Sequence, residues 1–289
     1  MRNLGIPTVI DRVIQQAIAQ VLTPIYEEQF SNSSYGFRPN RSCEMAIVRS
    51  LEIINDGYDW GVDIDLERFF DTVHHDRLMN IISRTIKDGD VISLIRKFLV
   101  SGVMVQGKYV DTTIGTPQGG NLSPLLSNIM LNELDKELEA RVLNFVRYAD
   151  DCNIFVGSKK AAERVMKSIT LFIEKKLGLI VNATKSKIAR PNDIKFLGYG
   201  YYFDFKANKY KPKPHLESLQ KLQRKIKKLT KRNWSVDLGY RLLKLKQLLV
   251  GWINYFRIVN MKTFLSRLDQ NIRRKIRVVI WKQWKKVKT

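Results

Sequence analysis

Leu143-Asn144-Phe145-Val146-Arg147-Tyr148-Ala149-Asp150-Asp151-Cys152-Asn153-Ile154-Phe155-Val156 sets two adjacent carboxylates between two short β-prone runs. The pattern reads as a hairpin with both acids at the bend. Charges paired among apolar and aromatic residues are costly unless something compensates them. A divalent cation held for catalysis is the usual compensation. Plain turn chemistry is the competing reading, because Asp bonds its own backbone in turns. The choice rests on whether the chain supplies a third carboxylate and a surface for a polyanion.

The third carboxylate lies upstream. Trp60-Gly61-Val62-Asp63-Ile64-Asp65-Leu66 alternates apolar and acidic residues with the period of a strand, and Asp65 stands at its end. Two neighbouring strands that each end in an acid can hold two divalent ions about 4 Å apart. Asp63 and Asp71 read as turn and capping residues. Around this pair, residues 8–23 read as a helix with Val9, Val13, Ala17 and Val21 at four-residue spacing. Residues 31–42 read as a loop, followed by a helix through residue 55. Further helices are expected near 76–87 and 90–100, with a hairpin over 103–114 turning at Gln106-Gly107. Ser123-Pro124 reads as a helix start, the hydroxyl as cap and proline at the first helical position, and Leu126, Met130, Leu134 and Leu138 follow as one stripe. A helix over 159–177 and short strands near Ile188, Phe196 and 199–205 complete this part. After Pro214 only helices are expected. Leu238, Leu242, Leu245, Leu249, Trp252 and Phe256 form one apolar seam, and Phe264, Leu268, Ile272, Ile276 and Ile280 a second. Trp252, Trp281 and Trp284 read mainly as core packing.

The net charge of +22 is unevenly distributed. Residues 205–289 carry 25 Lys and Arg against Glu217, Asp237 and Asp269 alone, so this stretch holds the entire surplus. A near-neutral domain joined to a polyanion-binding one is the reading, with nucleic acid ahead of an anionic membrane surface. Cys43 and Cys152 have no metal-ligand spacing and form no disulfide framework, as in a reducing cytosol. No signal peptide and no membrane-spanning run is read from the sequence.

Arg-Asn-Leu-Gly-Ile-Pro-Thr at 2–8, Tyr35 to Pro39, Asp65 to Asp71, Thr116-Pro117-Gln118-Gly119-Gly120 with Ser123-Pro124, Tyr148 to Asp151, Asn182 to Lys185, and Phe196 to Tyr199 occur in a telling order. The set resembles bacterial group II intron-encoded reverse transcriptase/maturases, and Gly251 to Phe256 and Trp281 to Lys286 resemble that family's thumb and maturase-specific region. The resemblance implies an α+β, right-hand polymerase fold. Its expected parts are partial fingers (1–56), an antiparallel-sheet palm with fingers elements (57–205), and an all-helical thumb and maturase region (206–289). It implies that Asp65 and Asp150 bind two Mg²⁺ ions, with Mn²⁺ as a substitute, that Asp151 completes the acidic cluster and that the Leu66 carbonyl assists. Phe70 would sit under the incoming sugar and select deoxynucleotides, while one of Phe69 and Phe70 belongs to the core. Gln118 and Gly119 would lie beside the nascent base pair, and Arg2 would contact the triphosphate. Lys185 would protonate or neutralise the leaving pyrophosphate, a solvated loop lysine being the alternative. Phe196, Leu197, Gly198 and Tyr199 would form the primer grip, and Arg38 and Arg41 would touch template phosphates. The basic helices present Arg224, Lys225, Lys228, Arg273, Arg274 and Arg277 to nucleic acid.

The function so implied is RNA-directed DNA polymerisation with binding of group II intron RNA to aid splicing and retrohoming, in the bacterial cytoplasm. The partners are intron RNA, an RNA template, a DNA primer or target and dNTPs, with no membrane. Two alternatives stay open. One is a non-catalytic RNA-binding maturase on a relict polymerase scaffold. The other is a different bacterial reverse transcriptase, from a retron, a diversity-generating element or a CRISPR-linked system. Compared with the family, the chain reads as clipped at both ends, lacking part of the fingers and the end of the maturase region.

Overall fold

The computed structural model describes residues 6–105, 108–110, 114–116 and 119–283. Arg2, the turn at Gln106-Gly107, Pro117, Gln118 and Trp284 to Lys286 lie outside them. The chain forms two compact units, Met1–Ile194 and Lys195–Thr289. That division falls ahead of residues 199–205, so the strand expected there belongs to the second unit.

The first unit is built on a four-stranded antiparallel sheet in the order β4-β5-β1-β6, from β1 (Trp60–Ile64), β4 (Asn144–Tyr148), β5 (Asp151–Val156) and β6 (Lys187–Ala189). β1 pairs with β5 from Trp60↔Val156 to Ile64↔Cys152. One sheet face carries Val62, Ile64, Phe145, Cys152, Ile154 and Val156 into the main core. That core is completed by α4 (His75–Thr85), α5 (Gly89–Val100), α6 (Ser123–Ala140) and α7 (Lys159–Phe172). On α6 the stripe Leu126, Met130, Leu134 and Leu138 is buried as expected. Leu122, not Ser123, holds the cap position of α6, and no side chain caps it; the helix begins one residue earlier than the hydroxyl could serve. Ser123 is itself buried.

The helix expected over 8–23 is α1 (Val9–Glu27), and it continues through Pro24. It buries Gln15, Ala19, Leu22 and Tyr26, whereas Val9, Val13 and Val21 are exposed. Helical spacing identified the element, but tertiary contacts selected a different face. α2 (Cys43–Asn55) starts from Ser42, whose hydroxyl accepts the Met45 N–H, a cap worth about 1 kcal/mol. α3 (Phe69–Thr72) is a single turn after β1. β2 (Val103–Val105) and β3 (Lys108–Val110) form the expected separate hairpin. α7 ends in a π-helical turn, Ile173–Leu177, stopped by Gly178 at φ 67°. There Arg77 donates to the Lys176 carbonyl at 3.0 Å.

The second unit opens with β7 (Tyr199–Asp204) paired to β8 (Lys209–Pro214), then α8 (Leu216–Leu229), α9 (Leu238–Tyr255) and α10 (Lys262–Gln283). β8 departs from the sequence expectation, since Lys-Tyr-Lys-Pro-Lys-Pro is rich in residues that strands disfavour. Pro212 is tolerated because β8 has a partner on one side only. Of the first seam, Leu245 and Phe256 are buried but Leu242 is exposed; the second seam is half-buried along its length. Arg241 is fully buried and donates to the carbonyls of Leu229 at 2.5 Å, Lys231 at 3.1 Å and Trp234 at 2.6 Å. It also packs over the Trp234 ring. Burial lowers its pKa from the usual guanidinium value. This cation ties the end of α8 to the start of α9. Arg241→Met leaves three carbonyls without their donor and is expected to cost about 2–4 kcal/mol, read as a lower urea midpoint followed by tryptophan fluorescence.

Candidate active site and nucleic-acid interface

The two-residue turn Ala149-Asp150 is fixed by the pairing of Tyr148 with Asp151. Ala149 sits at φ 56°, a left-handed conformation that costs a non-glycine residue about 1–2 kcal/mol. Arg147 holds it there. Its guanidinium donates to the Ala149 carbonyl at 2.9 Å, to Asn128 Oδ1 at 3.0 Å, and to both oxygens of Asp135 at 2.7 and 2.5 Å. Arg147 and Asp135 are both 0% exposed. Burial pushes the Asp135 carboxyl above its ordinary value, and Arg147 opposes that shift.

The loop before α2 is stitched to the same place. Arg147 N–H donates to Ser33 O at 2.9 Å, and Tyr35 N–H donates to Arg147 O at 2.8 Å. Asn128 Nδ2 donates to Gly36 O at 2.8 Å. A Cβ on Gly36 would lie 2.2 Å from the Ala149 nitrogen, so only glycine lets this loop brace the turn. A hydrogen bond with Cys43, aided by burial, pushes the Tyr148 phenol up to about 12. Burial likewise pushes the Cys152 thiol up, so it stays protonated beside the acids.

Asp65 follows the last residue of β1, and extending the register one step past Ile64↔Cys152 sets it level with Asp151. Both acids therefore stand at one end of two adjacent strands, with Asp150 at the turn. The segment after Gly178 wraps this end. Asn182 N–H donates to Asp65 O at 2.8 Å, and Asp65 N–H donates to Ser186 Oγ at 3.1 Å. Asn182 Oδ1 accepts from Thr184 N, Thr184 Oγ1 and Lys185 N. This side-chain turn brings Lys185 Nζ within 3.4 Å of Asp65 Oδ2. That oxygen is buried and accepts no hydrogen bond in the protein. Leu66 is buried and bridges Val181.

Among the described residues, no three His, Cys, Asp or Glu side chains already converge on one metal position. The donor set is nonetheless all hard oxygen, which suits Mg²⁺ or Mn²⁺. The orphaned oxygen of Asp65 faces an ammonium where a cation would serve. The donor chemistry thus suits a divalent ion, and Lys185 is the counter-charge beside Asp65.

Phe69 is in the core at 2% exposed, and Phe70 is half-buried against it with ring centroids 5.2 Å apart. The Phe70 carbonyl accepts Thr116 N–H at 2.6 Å, and Gly115 N–H donates to Val73 O at 2.8 Å. His75, buried, donates Nε2–H to Gly115 O at 2.5 Å. Gly115, at φ 91°, passes so close that a Cβ would meet Phe70 O at 2.9 Å. The turn bearing Phe70 and the residues Gly115 and Thr116 are thereby pinned together.

Arg38 is placed elsewhere than a template contact requires. Its side chain is 3% exposed and grips Glu27, Ser31 O and Ser34 O. Arg41 is committed to Asn32 through two hydrogen bonds and lies over Tyr35. In the second unit, Phe196 and Tyr199 exchange backbone hydrogen bonds around Leu197 (φ 50°) and Gly198 (φ 78°). Both rings are buried, and Tyr255 Oη donates to Leu197 O. Arg224, Lys225, Lys228, Arg273, Arg274 and Arg277 are exposed, with Arg273 paired to Asp269. Between α8 and α10 runs a cavity of about 650 Å³ that sets Arg224, Lys227 and Lys275 around an apolar floor of Ile226, Leu268 and Ile272.

The sequence analysis missed Arg147, Asp135, Asn128 and His75. A signal existed for two of them: Arg147 interrupts an apolar strand, and Asp135 interrupts the apolar side of α6. Their partnership could not be read without the fold.

The family described as reverse transcriptase (RNA-dependent DNA polymerase) matches residues 1–201. The group II intron maturase-specific domain matches residues 219–289. Protein YkfC of Escherichia coli is 35% identical, with 69% of this chain and 62% of that protein covered. Group II intron-encoded protein LtrA of Lactococcus lactis is 34% identical, covering 69% of this chain and 44% of LtrA. The chain thus spans less than two thirds of these relatives. Telomerase from Candida tropicalis in complex with a fragment of telomeric RNA shares the fold, with a TM-score of 0.56 at 15% identity. That match covers 94% of this chain and 50% of the telomerase.

Removing one member of the buried pair should expose its cost. Asp135→Leu leaves Arg147 buried without its counter-charge and is expected to destabilise the first unit by about 3–5 kcal/mol. The double change Asp135→Leu with Arg147→Met is expected to recover most of that loss in chemical denaturation.

Proposed function

The chain belongs to the reverse transcriptase family, and we propose that it acts as an RNA-directed DNA polymerase that also binds group II intron RNA to aid splicing and retrohoming. The observation that carries the polymerase reading is the β1–β5 register, which brings Asp65 level with Asp151 and beside the Asp150 turn. Two divalent ions, held by Asp65, Asp150 and Asp151 with help from the Leu66 carbonyl, would supply the charge that activates a primer 3′-hydroxyl and stabilises the departing pyrophosphate. The primer oxygen attacks the α-phosphorus of a dNTP as the bond to pyrophosphate breaks. Lys185, placed beside Asp65 by the Asn182 turn, would neutralise or protonate that leaving group. Phe70, half-buried and pinned through its carbonyl to Thr116, would stand under the sugar and clash with a 2′-hydroxyl. Gln118, Gly119 and Arg2 would position the nascent pair and triphosphate, and Phe196 to Tyr199 the primer.

The RNA-binding role is supported by the maturase-domain match and by the charge surplus of residues 205–289. Phosphate contacts from α8 and α10 would make binding steeply salt-dependent, with log K falling by about 0.7–0.9 per phosphate for each tenfold rise in salt. A non-catalytic maturase is the second reading, favoured by the maturase match reaching residues 219–289 independently of the acids. Splicing of the cognate intron at low Mg²⁺, with and without the chain, separates it from polymerisation.

Primer extension with poly(rA)/oligo(dT), dTTP and Mg²⁺ tests the polymerase. Asp150→Ala is expected to abolish extension, and equal activity from the variant and the wild type would sink the site. Phe70→Ala is expected to raise ribonucleotide incorporation relative to deoxynucleotide, and an unchanged ratio would remove Phe70 from that role.

A further inference from the structure

In the second unit the hairpin of β7 and β8 ends in a tip whose composition the polymerase reading leaves unexplained. Phe205 is 87% exposed, more than any other described aromatic residue. It does not stand alone. Its ring meets Phe203 at 5.2 Å with planes at 81°, and Phe203 meets Tyr210 at 5.2 Å and 71°. Phe203 and Tyr210 are cross-strand partners on one face of the hairpin, so three rings form a continuous aromatic surface with Phe205 outermost. The tip is preorganised: Asp204 Oδ1 accepts the Lys206 and Ala207 N–H groups, and Asn208 takes φ 48° to close the turn. Lys211 neutralises Asp204 at 2.6 Å and holds its carboxyl below the ordinary value. The hairpin carries no other acid, while Lys206 in the turn and Lys209 and Lys213 on β8 are exposed.

We infer that this tip is a stacking platform for an unpaired nucleotide, with Phe205 receiving a base face and Lys206 and Lys209 the adjacent phosphates. The inference rests on the nucleic-acid-binding reading above and names a site for it. Charge complementarity selects the occupant. An apolar protein partner would cover the rings but leave the tip cations Lys206 and Lys209 without a counter-charge, whereas single-stranded nucleic acid offers a π-face and a phosphate to the same tip. A duplex does not suit, because its base faces are already stacked. The rigid turn keeps the ring presented before binding, so little ordering is required when a base arrives.

The test uses the full chain in EDTA, without dNTPs, so that no polymerase step contributes. Affinity is measured by fluorescence anisotropy for a labelled single-stranded oligo(U) 12-mer and for an abasic 12-mer with the same number of phosphates. Phe205→Ala is expected to weaken oligo(U) binding about tenfold, in line with one lost base–aromatic stack, while leaving the abasic strand unchanged. Phe205→Trp should restore oligo(U) binding. Equal losses on both strands, or no loss on either, overturn the platform while leaving the polymerase reading intact. Wild-type binding to neither strand overturns both. A Phe205→Ala chain that binds both strands normally but loses self-association in sedimentation also overturns the platform and assigns the rings to contact between copies.

Discussion

The buried contact of Arg147 with Asp135 is the constraint on which the first unit depends. Burying an unpaired charge is prohibitive, and even a paired one must satisfy its remaining donors. Arg147 does so by spreading its guanidinium over α6, through Asp135 and Asn128, and over the Ala149-Asp150 turn, through the Ala149 carbonyl. Its own backbone takes the loop 33–35 as a short parallel neighbour. One side chain therefore fixes helix, strand, loop and turn relative to each other. The strained Ala149 follows from this: the network over-determines a backbone conformation that alanine alone would avoid.

Backbone contacts also set the candidate acids in place. Asp65 is gripped through its backbone by Asn182 and Ser186, not through its carboxylate. Its carboxylate faces Lys185, with Nζ 3.4 Å from Oδ2. Asp150 and Asp151 are positioned through the hairpin and its braces.

The second unit is organised by different means. Its helices have half-buried seams, and its most thoroughly buried polar group, Arg241, donates through its two terminal nitrogens to backbone carbonyls rather than to a carboxylate. A unit holding so few acids has little choice, since nearly every cation must face solvent or a polyanion. The aromatic tip of the β7–β8 hairpin adds exposed rings beside these cations.

Local pattern was enough for much of this protein. The alternation of Trp60 to Leu66, the two β-prone runs around Asp150-Asp151, the stripe of α6 and the charge surplus after residue 204 each depend on neighbours in sequence, and each reads correctly. The ordered motifs carried the family for the same reason. What local pattern misjudged lies in partnerships that composition does not show. The buried face of α1 was set by contacts distant in sequence, whereas the strand Lys209 to Pro214 and the burial of Arg38 arise from near neighbours whose pairing the residue types do not announce. The sequence by itself determined which residues are acids, rings and cations, and most of the segments that are strands or helices. Only the tertiary structure decided that Asp65 lies level with Asp151 beyond the β1–β5 register, that Arg38 serves the interior, and that Arg147 and Asp135 hold the turn. Register and buried charge pairing are properties of two segments at once, and neither segment specifies them alone.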